Sequence, residues 1–270
     1  TPNPDVLCNR EIKFGDCLNH ALRLGGERLA TGHYARLVPG ADGMELHKAI
    51  DAGKDQSYFL HAVARERFAA ALMPLGDLHK PEVRALAREA GLPVADKRDS
   101  TGICFIGERP FRDFLAQYIG HTPGPIRTDR GEEIGTHVGL PFYTLGQRGG
   151  IGIGGMAGSS GEPWYVVGKD SARNVLVVAQ GEDHPALYCQ QLTVRQPNWL
   201  CAPSEALGDG IAVRLRYRQQ DQPAQVQALP DGDIRIIPHD PQRAVTPGQS
   251  AVIYRASRCL GGGVITRTGL

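Results

Sequence analysis

Long apolar runs are missing from this 270-residue sequence, and so is any amino-terminal targeting pattern. No run of about 18 apolar residues occurs, so no membrane-spanning helix is predicted. The segment Thr1-Pro2-Asn3-Pro4-Asp5 has neither the basic start nor the apolar stretch of a signal peptide. These absences predict a soluble, cytoplasmic protein without a membrane partner.

Cysteine is scarce, with six residues in the whole chain. That number is too small for the disulfide scaffold of a secreted protein, and no C-x-x-C pair is present. Zinc ribbons and thioredoxin-like redox sites are therefore excluded, and no metal-binding set is predicted. We expect most of the cysteines to be reduced.

An excess of positive charge is also lacking, because the formal net charge is only +1. The composition therefore shows no overall signature of nucleic-acid binding, and such a role would need local clustering. One such cluster exists in the last segment, where all the basic residues of 188–270 are arginine. Arg214, Arg216 and Arg218 alternate in a predicted strand, which would place all three on one face.

Glycine and proline, by contrast, are plentiful, with 34 and 19 residues, and they predict many turns. In residues 1–110, helical patterns alternate with short strand patterns. The helical patterns lie at 11–24, 57–72 and 81–90. The strand patterns lie at 28–34 and 45–50, with a turn predicted between them at Pro39-Gly40. This alternation predicts an α/β domain.

The remaining chain has a different character. Residues 111–186 begin with a helical pattern up to Tyr118, followed by turns and a hairpin of strands 164–167 and 175–178. Residues 187–270 contain short strand candidates at 211–218, 224–229, 233–237, 250–255 and 263–267. This spacing predicts a small closed barrel or sandwich. The expected fold class is thus multidomain, α/β plus β, with a small middle domain.

Cys8 and Cys104 are the candidates for chemistry. Cys8 follows two prolines and precedes a helical pattern, with Asp5 three residues away, and Cys104 lies between Gly102 and Gly107. Each could be a packed apolar residue, since unpaired cysteine is often buried. The alternative is a reactive thiolate at a helix start for Cys8, and a thiol that meets it in the fold for Cys104.

Seven segments together resemble the MnmA-type tRNA-specific 2-thiouridylases, in the same order and with similar spacing. They are Thr1-Pro2-Asn3-Pro4-Asp5-x-x-Cys8-Asn9-x-x-Ile12-Lys13-Phe14, Ala30-Thr31-Gly32-His33-Tyr34, Lys54-Asp55-Gln56-Ser57-Tyr58-Phe59-Leu60, Asp99-Ser100-Thr101-Gly102-Ile103-Cys104-Phe105-Ile106-Gly107, Thr144-Leu145-Gly146-Gln147-Arg148, Thr246-Pro247-Gly248-Gln249 and Cys259-Leu260-Gly261-Gly262-Gly263. The resemblance runs from one end of the chain to the other.

This resemblance implies a PP-loop α/β domain, of the adenine-nucleotide α-hydrolase-like type, followed by a tRNA-contacting middle domain and a C-terminal β-barrel. It also implies a reaction in which ATP, with Mg2+, activates the C2 oxygen of the tRNA wobble uridine as an adenylate. A persulfide on Cys104 then delivers sulfur to C2 with loss of AMP. Cys8 would attack that persulfide or close a transient disulfide with Cys104, and Asp5 would handle the proton.

The resemblance also assigns binding residues. Asn3, Pro4 and Asp5 would line the pocket of the flipped-out base, and Gly32 would approach ATP. The tRNA contacts would come from His33, the Lys54, Asp55 and Gln56 loop, and a carboxyl-terminal surface with Arg216, Tyr217 and Gln249. A sulfur-relay protein or a cysteine desulfurase would load Cys104.

The Ser-Gly-Gly-x-Asp-Ser phosphate loop with which the family normally begins is not present in this sequence. Three interpretations remain open: a fragment of a full thiouridylase, a split enzyme whose ATP-binding segment is a separate polypeptide, and a non-catalytic tRNA-binding protein. In the first two, this chain alone is expected to be inactive, and residues 1–110 are expected to lack part of their sheet. A cysteine hydrolase is disfavoured, because neither candidate cysteine has an evident orienting histidine.

Overall fold

The computed structural model describes residues 3–97, 117–118, 120–153 and 161–269. These residues divide into two units, each with its own hydrophobic core. The described part of the first unit is 3–97, 191–240 and 247–268. The second contains 117–118, 120–153, 161–190, 241–246 and residue 269.

The first unit opens with one continuous helical stretch. It consists of α1 (Pro4–Leu7), a π-helix (Cys8–Cys17) and α2 (Leu18–Arg23). The amphipathic helix predicted over 11–24 is confirmed, but it begins at Pro4, so Cys8 lies inside it. Phe14 and Leu18, four residues apart, are buried and anchor the helix to the core.

Four short strands and one α-helix follow the opening helix along the chain. They are β1 (Leu29–Ala30), β2 (Ala35–Gly40), β3 (Gly43–Lys48), β4 (Ala71–Leu72) and α3 (Lys80–Glu89). β1 and β4 pair in parallel, whereas β2 and β3 form a hairpin. The turn predicted at Pro39-Gly40 lies at 41–42 instead, because both residues continue β2 and pair with β3. The helix predicted over 81–90 is confirmed as α3.

The helical prediction for 57–72 is wrong. Two short 3-10 helices, Ser57–Leu60 and Arg65–Ala70, lead into β4. Distant contacts override the local helical preference. The Tyr58 hydroxyl donates to the carbonyl of Ser250 at 2.9 Å, and the buried Asp55 carboxylate accepts from Arg214 at 2.6 Å.

The carboxyl-terminal strands form a closed six-stranded barrel, as predicted. Its strands are β10 (Gln191–Trp199), β11 (Gly208–Arg214), β12 (Gln222–Ala228), β13 (Ile234–Pro238), β15 (Ser250–Arg255) and β16 (Arg258–Gly269). The ring closes because β10 pairs with both β13 and β16. The sequence patterns did not predict β10. The β2–β3 hairpin joins the same sheet through pairing of His47 with Arg258.

The second unit contains a four-stranded sheet with a buried core. Its strands are β5 (Gly124–Thr128), β6 (Glu133–His137), β7 (Trp164–Asp170) and β8 (Val175–Gln180). The predicted hairpin is confirmed as β7–β8, where the Asp170 carboxylate accepts from the N–H groups of Ala172 and Arg173 in the turn. A small pair, β9 (Tyr188–Cys189) with β14 (Gln242–Arg243), also belongs to this unit.

The helix predicted to end at Tyr118 lies outside the described residues, apart from positions 117 and 118. Among the helices that the structure describes, none has the length and apolar character needed to cross a membrane.

Candidate functional site

Cys8 lies in the second turn of the opening helix. Asn3 caps the helix, since its Oδ1 accepts from the N–H of Asp5 at 3.0 Å, and Pro4 occupies the first helical position. Cys8 is 8% exposed, and the three-residue spacing makes Asp5 its neighbour on the helix. The thiol is thus one turn beyond the amino-terminal residues on which the helix dipole acts most strongly.

Of the four other cysteines that the structure describes, three are buried and one is exposed. Burial raises the pKa of Cys189 and of Cys201 to about 11, and that of Cys259 to about 12. At neutral pH these three are protonated thiols and poor nucleophiles. Cys17 is exposed. Cys104, the predicted persulfide carrier, lies outside the described residues, so its pairing with Cys8 stays a prediction.

His33 is a buried, neutral histidine beside the opening helix. Burial, reinforced by the charge of Lys13, lowers the pKa of His33 to about 4. The Lys13 ammonium lies 3.5 Å from His33 Nε2 and can only donate, so Nε2 accepts. The proton is then on Nδ1, which donates to the Thr31 hydroxyl at 2.9 Å. The ring therefore takes a single tautomer.

Gly32 follows the carboxyl end of β1, which pairs in parallel with β4. It is exposed, and a Cβ atom there would meet only Leu75, at an ordinary 3.9 Å. Loops at the carboxyl ends of parallel strands are where open α/β sheets bind their ligands. The predicted contact of Gly32 with ATP stays a prediction.

Lys54, Asp55 and Gln56 form a loop that is held by its own side chains. Gln56 pairs twice with Tyr34: its N–H donates to the Tyr34 carbonyl at 2.8 Å, and its Oε1 accepts from the Tyr34 N–H at 3.0 Å. Lys54 is half-buried, whereas Asp55 is 3% exposed. The Asp55 carboxylate thus faces the interior in this structure, and its predicted tRNA contact stays a prediction.

The arginine stripe predicted on one strand is wrong. β11 ends at Arg214, and residues 215–218 form a turn, in which Arg218 has a φ of 67°. Arg214 points inward, where it pairs with Asp55 at 2.6 Å and Asp221 at 2.7 Å. Arg216 and Arg218 are exposed, and Tyr217 is half-buried between them.

Phe59 connects the opening helix to the barrel turn. The side-chain amide of Asn9 donates to the Phe59 carbonyl at 3.3 Å, and the Phe59 ring lies 4.4 Å from that of Tyr217, centroid to centroid. Gln249 is half-buried and directly precedes Ser250, whose carbonyl accepts from Tyr58. Within the first unit, the structure thus links the Cys8 helix, the segment that follows the Lys54–Gln56 loop, and the 215–218 turn.

Two residues of this arrangement, Asn9 and Phe59, were not singled out from the sequence, and Arg214 was predicted in a different role. Asn9 and Phe59 lie within segments that carry the family resemblance, so their positions in those segments were the available signal. Arg214 was assigned to a surface stripe, and nothing in the local pattern indicated its buried partner 159 residues away.

The sequence matches both known protein families and individual relatives. Three family profiles match consecutive regions: a tRNA methyl transferase HUP domain at 1–108, a tRNA methyl transferase PRC-barrel domain at 112–180, and an aminomethyltransferase beta-barrel domain at 189–265. A tRNA-specific 2-thiouridylase MnmA from Cupriavidus metallidurans is 53% identical over 266 residues, covering 98% of this chain and 74% of the relative. The chain belongs to the MnmA family of tRNA-specific 2-thiouridylases.

Other MnmA relatives give the same result. The protein from Idiomarina loihiensis is 54% identical over 98% of this chain and 72% of its own length. The protein from Paracidovorax citrulli is 53% identical, covering 100% of this chain and 73% of the relative. The fold class expected of an MnmA protein is confirmed by an α/β HUP domain, a PRC-barrel domain and a β-barrel. The domain boundaries predicted after residues 110 and 186 stay a prediction.

Proposed function

We propose that this chain takes part in ATP-dependent transfer of sulfur to C2 of the wobble uridine of tRNA, forming 2-thiouridine. One observation carries the proposal. A chain 53% identical to MnmA thiouridylases places Cys8 on a capped helix, one turn from Asp5. The cytoplasm, where tRNA and ATP are present, is the proposed location.

In this proposal, Cys104 and Cys8 act in successive steps. The outer sulfur of a persulfide on Cys104 attacks C2 and displaces the activated oxygen. The Cys8 thiolate then attacks Cys104 Sγ, so that the S–S bond breaks, its electron pair stays with the sulfur on C2, and a Cys8–Cys104 disulfide forms. Asp5 accepts the proton of Cys8. A thiol reductant then reduces the disulfide to two thiols. A sulfur-relay protein or cysteine desulfurase transfers a new sulfur to Cys104, which restores the persulfide.

Gly32 fits the proposed contact with ATP, because its backbone is exposed at the carboxyl end of a parallel strand and a side chain would find space there. ATP, with Mg2+, supplies activation of the uridine C2 oxygen, which is otherwise a poor leaving group. The residues of this chain orient the tRNA and carry the sulfur.

The proposed tRNA-binding residues fall into two groups. Asn3, Pro4 and Asp5, at the start of the helix that contains Cys8, enclose the flipped-out base, because a base must leave the stack for chemistry on its ring. The contacts outside that pocket come from His33, Lys54, Asp55, Gln56, Arg216, Tyr217 and Gln249. Exposed Arg216 suits a phosphate, and the ring of Tyr217 suits stacking on a base.

The test is a thiolation assay on wobble-uridine tRNA with ATP, Mg2+ and a persulfide donor. It is run on this chain alone and with the ATP-binding amino-terminal segment of an MnmA relative supplied. Cys8→Ser and Cys104→Ser are expected to abolish sulfur incorporation, whereas Cys17→Ser, at an exposed cysteine of the same helix, retains it.

Mass analysis of the digested nucleosides identifies the product, because replacement of oxygen by sulfur and addition of a methyl group give different masses. Incorporation of sulfur that depends on both Cys8 and Cys104 supports the proposal. Tight tRNA binding without incorporation under either condition contradicts it and favours a non-catalytic tRNA-binding protein.

A further inference from the structure

Arg214 lies at the centre of a buried chain of charges in the first unit. Its NH1 donates to Asp55 Oδ2 at 2.6 Å and its Nε donates to Asp221 Oδ1 at 2.7 Å. Asp221 also pairs with the ammonium of Lys48. The side chains of Arg214 and Lys48 are each 13% exposed, and that of Asp55 is 1% exposed. Among the residues that the structure describes, Arg214 is the cation that pairs with both carboxylates.

At one end of this row of charges, Asp55 holds the loop around it in place by hydrogen bonds. Asp55 Oδ1 accepts from the N–H groups of Ala49 and Ser57, and Oδ2 accepts from the hydroxyl of Ser57. Removing Arg214 would leave the Asp55 carboxylate without its cation at 1% exposure, which disfavours the charged group in this position. The loop hydrogen bonds that the carboxylate accepts would be weakened, whether it takes up a proton or moves towards water.

The turn at 215–218 follows Arg214 directly in the sequence. It contains Arg216, Tyr217 and Arg218, and the guanidinium of Arg218 lies 5.4 Å from the Tyr217 ring. The Tyr217 ring also packs on Phe59, four residues after Asp55. The loop and the turn are therefore joined twice, by an ion pair in the interior and by a ring contact nearer the surface.

We infer that Arg214 is a positioning residue that fixes the Lys54–Gln56 loop and the Arg216–Tyr217 turn relative to each other, so that one tRNA contacts both. This inference rests on the function proposed above, since it concerns the tRNA-binding residues assigned there. The inward ion pair converts two segments 159 residues apart into one rigid surface, which lowers the entropy that tRNA binding would otherwise lose in ordering them.

The experiment uses two readouts on the full chain. Hydrogen exchange of the backbone amides of 55–59 reports loop order without any ligand, and titration with wobble-uridine tRNA reports affinity. Arg214→Met is expected to accelerate that exchange and weaken tRNA binding, each by about tenfold. The matched control is Lys48→Met, which removes the other cation of the same network but leaves the Arg214–Asp55 pair intact.

A second variant separates positioning from a general loss of stability. Arg214→Lys keeps a charge near Asp55, but one ammonium cannot reproduce two guanidinium contacts, so intermediate exchange and affinity are expected. If both Arg214 variants match Lys48→Met in exchange and in affinity, the inference is overturned. If the unaltered chain binds no tRNA, the proposed function fails, while the exchange rates still decide whether Arg214 orders the loop.

Discussion

At the scale of single residues, the environment decides which titratable groups can act. Burial is the chief cause that lowers the pKa of His33 and of His61 to about 4. Both rings are therefore neutral at neutral pH, and neither can act there as a general acid in the form of an imidazolium. The buried thiols of Cys189, Cys201 and Cys259 are likewise held in their neutral form. These three thiols are therefore poor nucleophiles at neutral pH.

His61 gives a prediction about stability. In the unfolded chain it binds a proton near pH 6.5, but in the folded chain only near pH 4. The unfolded state therefore binds more protons between these values, so stability is fully present above pH 6.5 and is lost as the pH falls towards 4. Between pH 7 and pH 4.5 this one group should reduce the free energy of unfolding by about 2–3 kcal/mol.

Urea unfolding of the unaltered chain and of His61→Gln at both pH values measures this effect. The variant is expected to show a smaller difference between pH 7 and pH 4.5 by about that amount, because glutamine does not titrate. His20→Gln, at an exposed histidine, is the control and should leave the difference unchanged. An identical pH dependence in both variants would show that His61 is not buried as a neutral ring.

At the scale of elements, glycine explains how the barrel closes. Gly261 has a φ of 133°, and a Cβ atom there would lie 2.1 Å from the carbonyl oxygen of Asn198 in β10. At Gly262 the corresponding atom would lie 2.3 Å from the carbonyl oxygen of Ala251 in β15. The Gly261-Gly262-Gly263 segment thus lets β16 pass close to two neighbouring backbones.

The close approach at Gly261 predicts a large cost for a side chain. Gly261→Ala is expected to lower the free energy of unfolding by about 2–5 kcal/mol, because the methyl group meets backbone and the φ is strained. Gly149→Ala is the control, since a Cβ there meets nothing within 4 Å. Calorimetry of both variants measures the difference, and equal melting temperatures would mean that β16 and β10 are farther apart than described.

At the scale of the whole molecule, the small net charge gives no overall attraction for nucleic acid, so the proposed tRNA binding must come from local groups. The formal charge is +1, yet every basic residue from 188 to 270 is arginine, and Arg216 is exposed beside Tyr217. A guanidinium that contacts a phosphate releases a counterion, so tRNA binding should weaken as the salt concentration rises.

Arg216→Ala is therefore expected to weaken tRNA binding at every salt concentration and to reduce the slope of log K against log salt by about 0.7–1. Arg195→Ala, at an exposed arginine elsewhere in the barrel, is the control. Filter binding over a series of salt concentrations gives both quantities. An unchanged slope would remove Arg216 from the phosphate contacts.

Patterns in the sequence were enough to predict the family, the opening helix, α3, the β7–β8 hairpin and most of the short strands of the carboxyl-terminal domain. Each follows from local periodicity, turn chemistry or ordered motifs, and these depend on neighbours in the chain. The three-dimensional contacts were needed to show that 57–72 is not one helix, that β10 closes the barrel and that Arg214 faces inward. In each case the deciding contact joins residues far apart in sequence, Tyr58 with Ser250, β10 with β16 and Arg214 with Asp55, and no local pattern encodes such a partner.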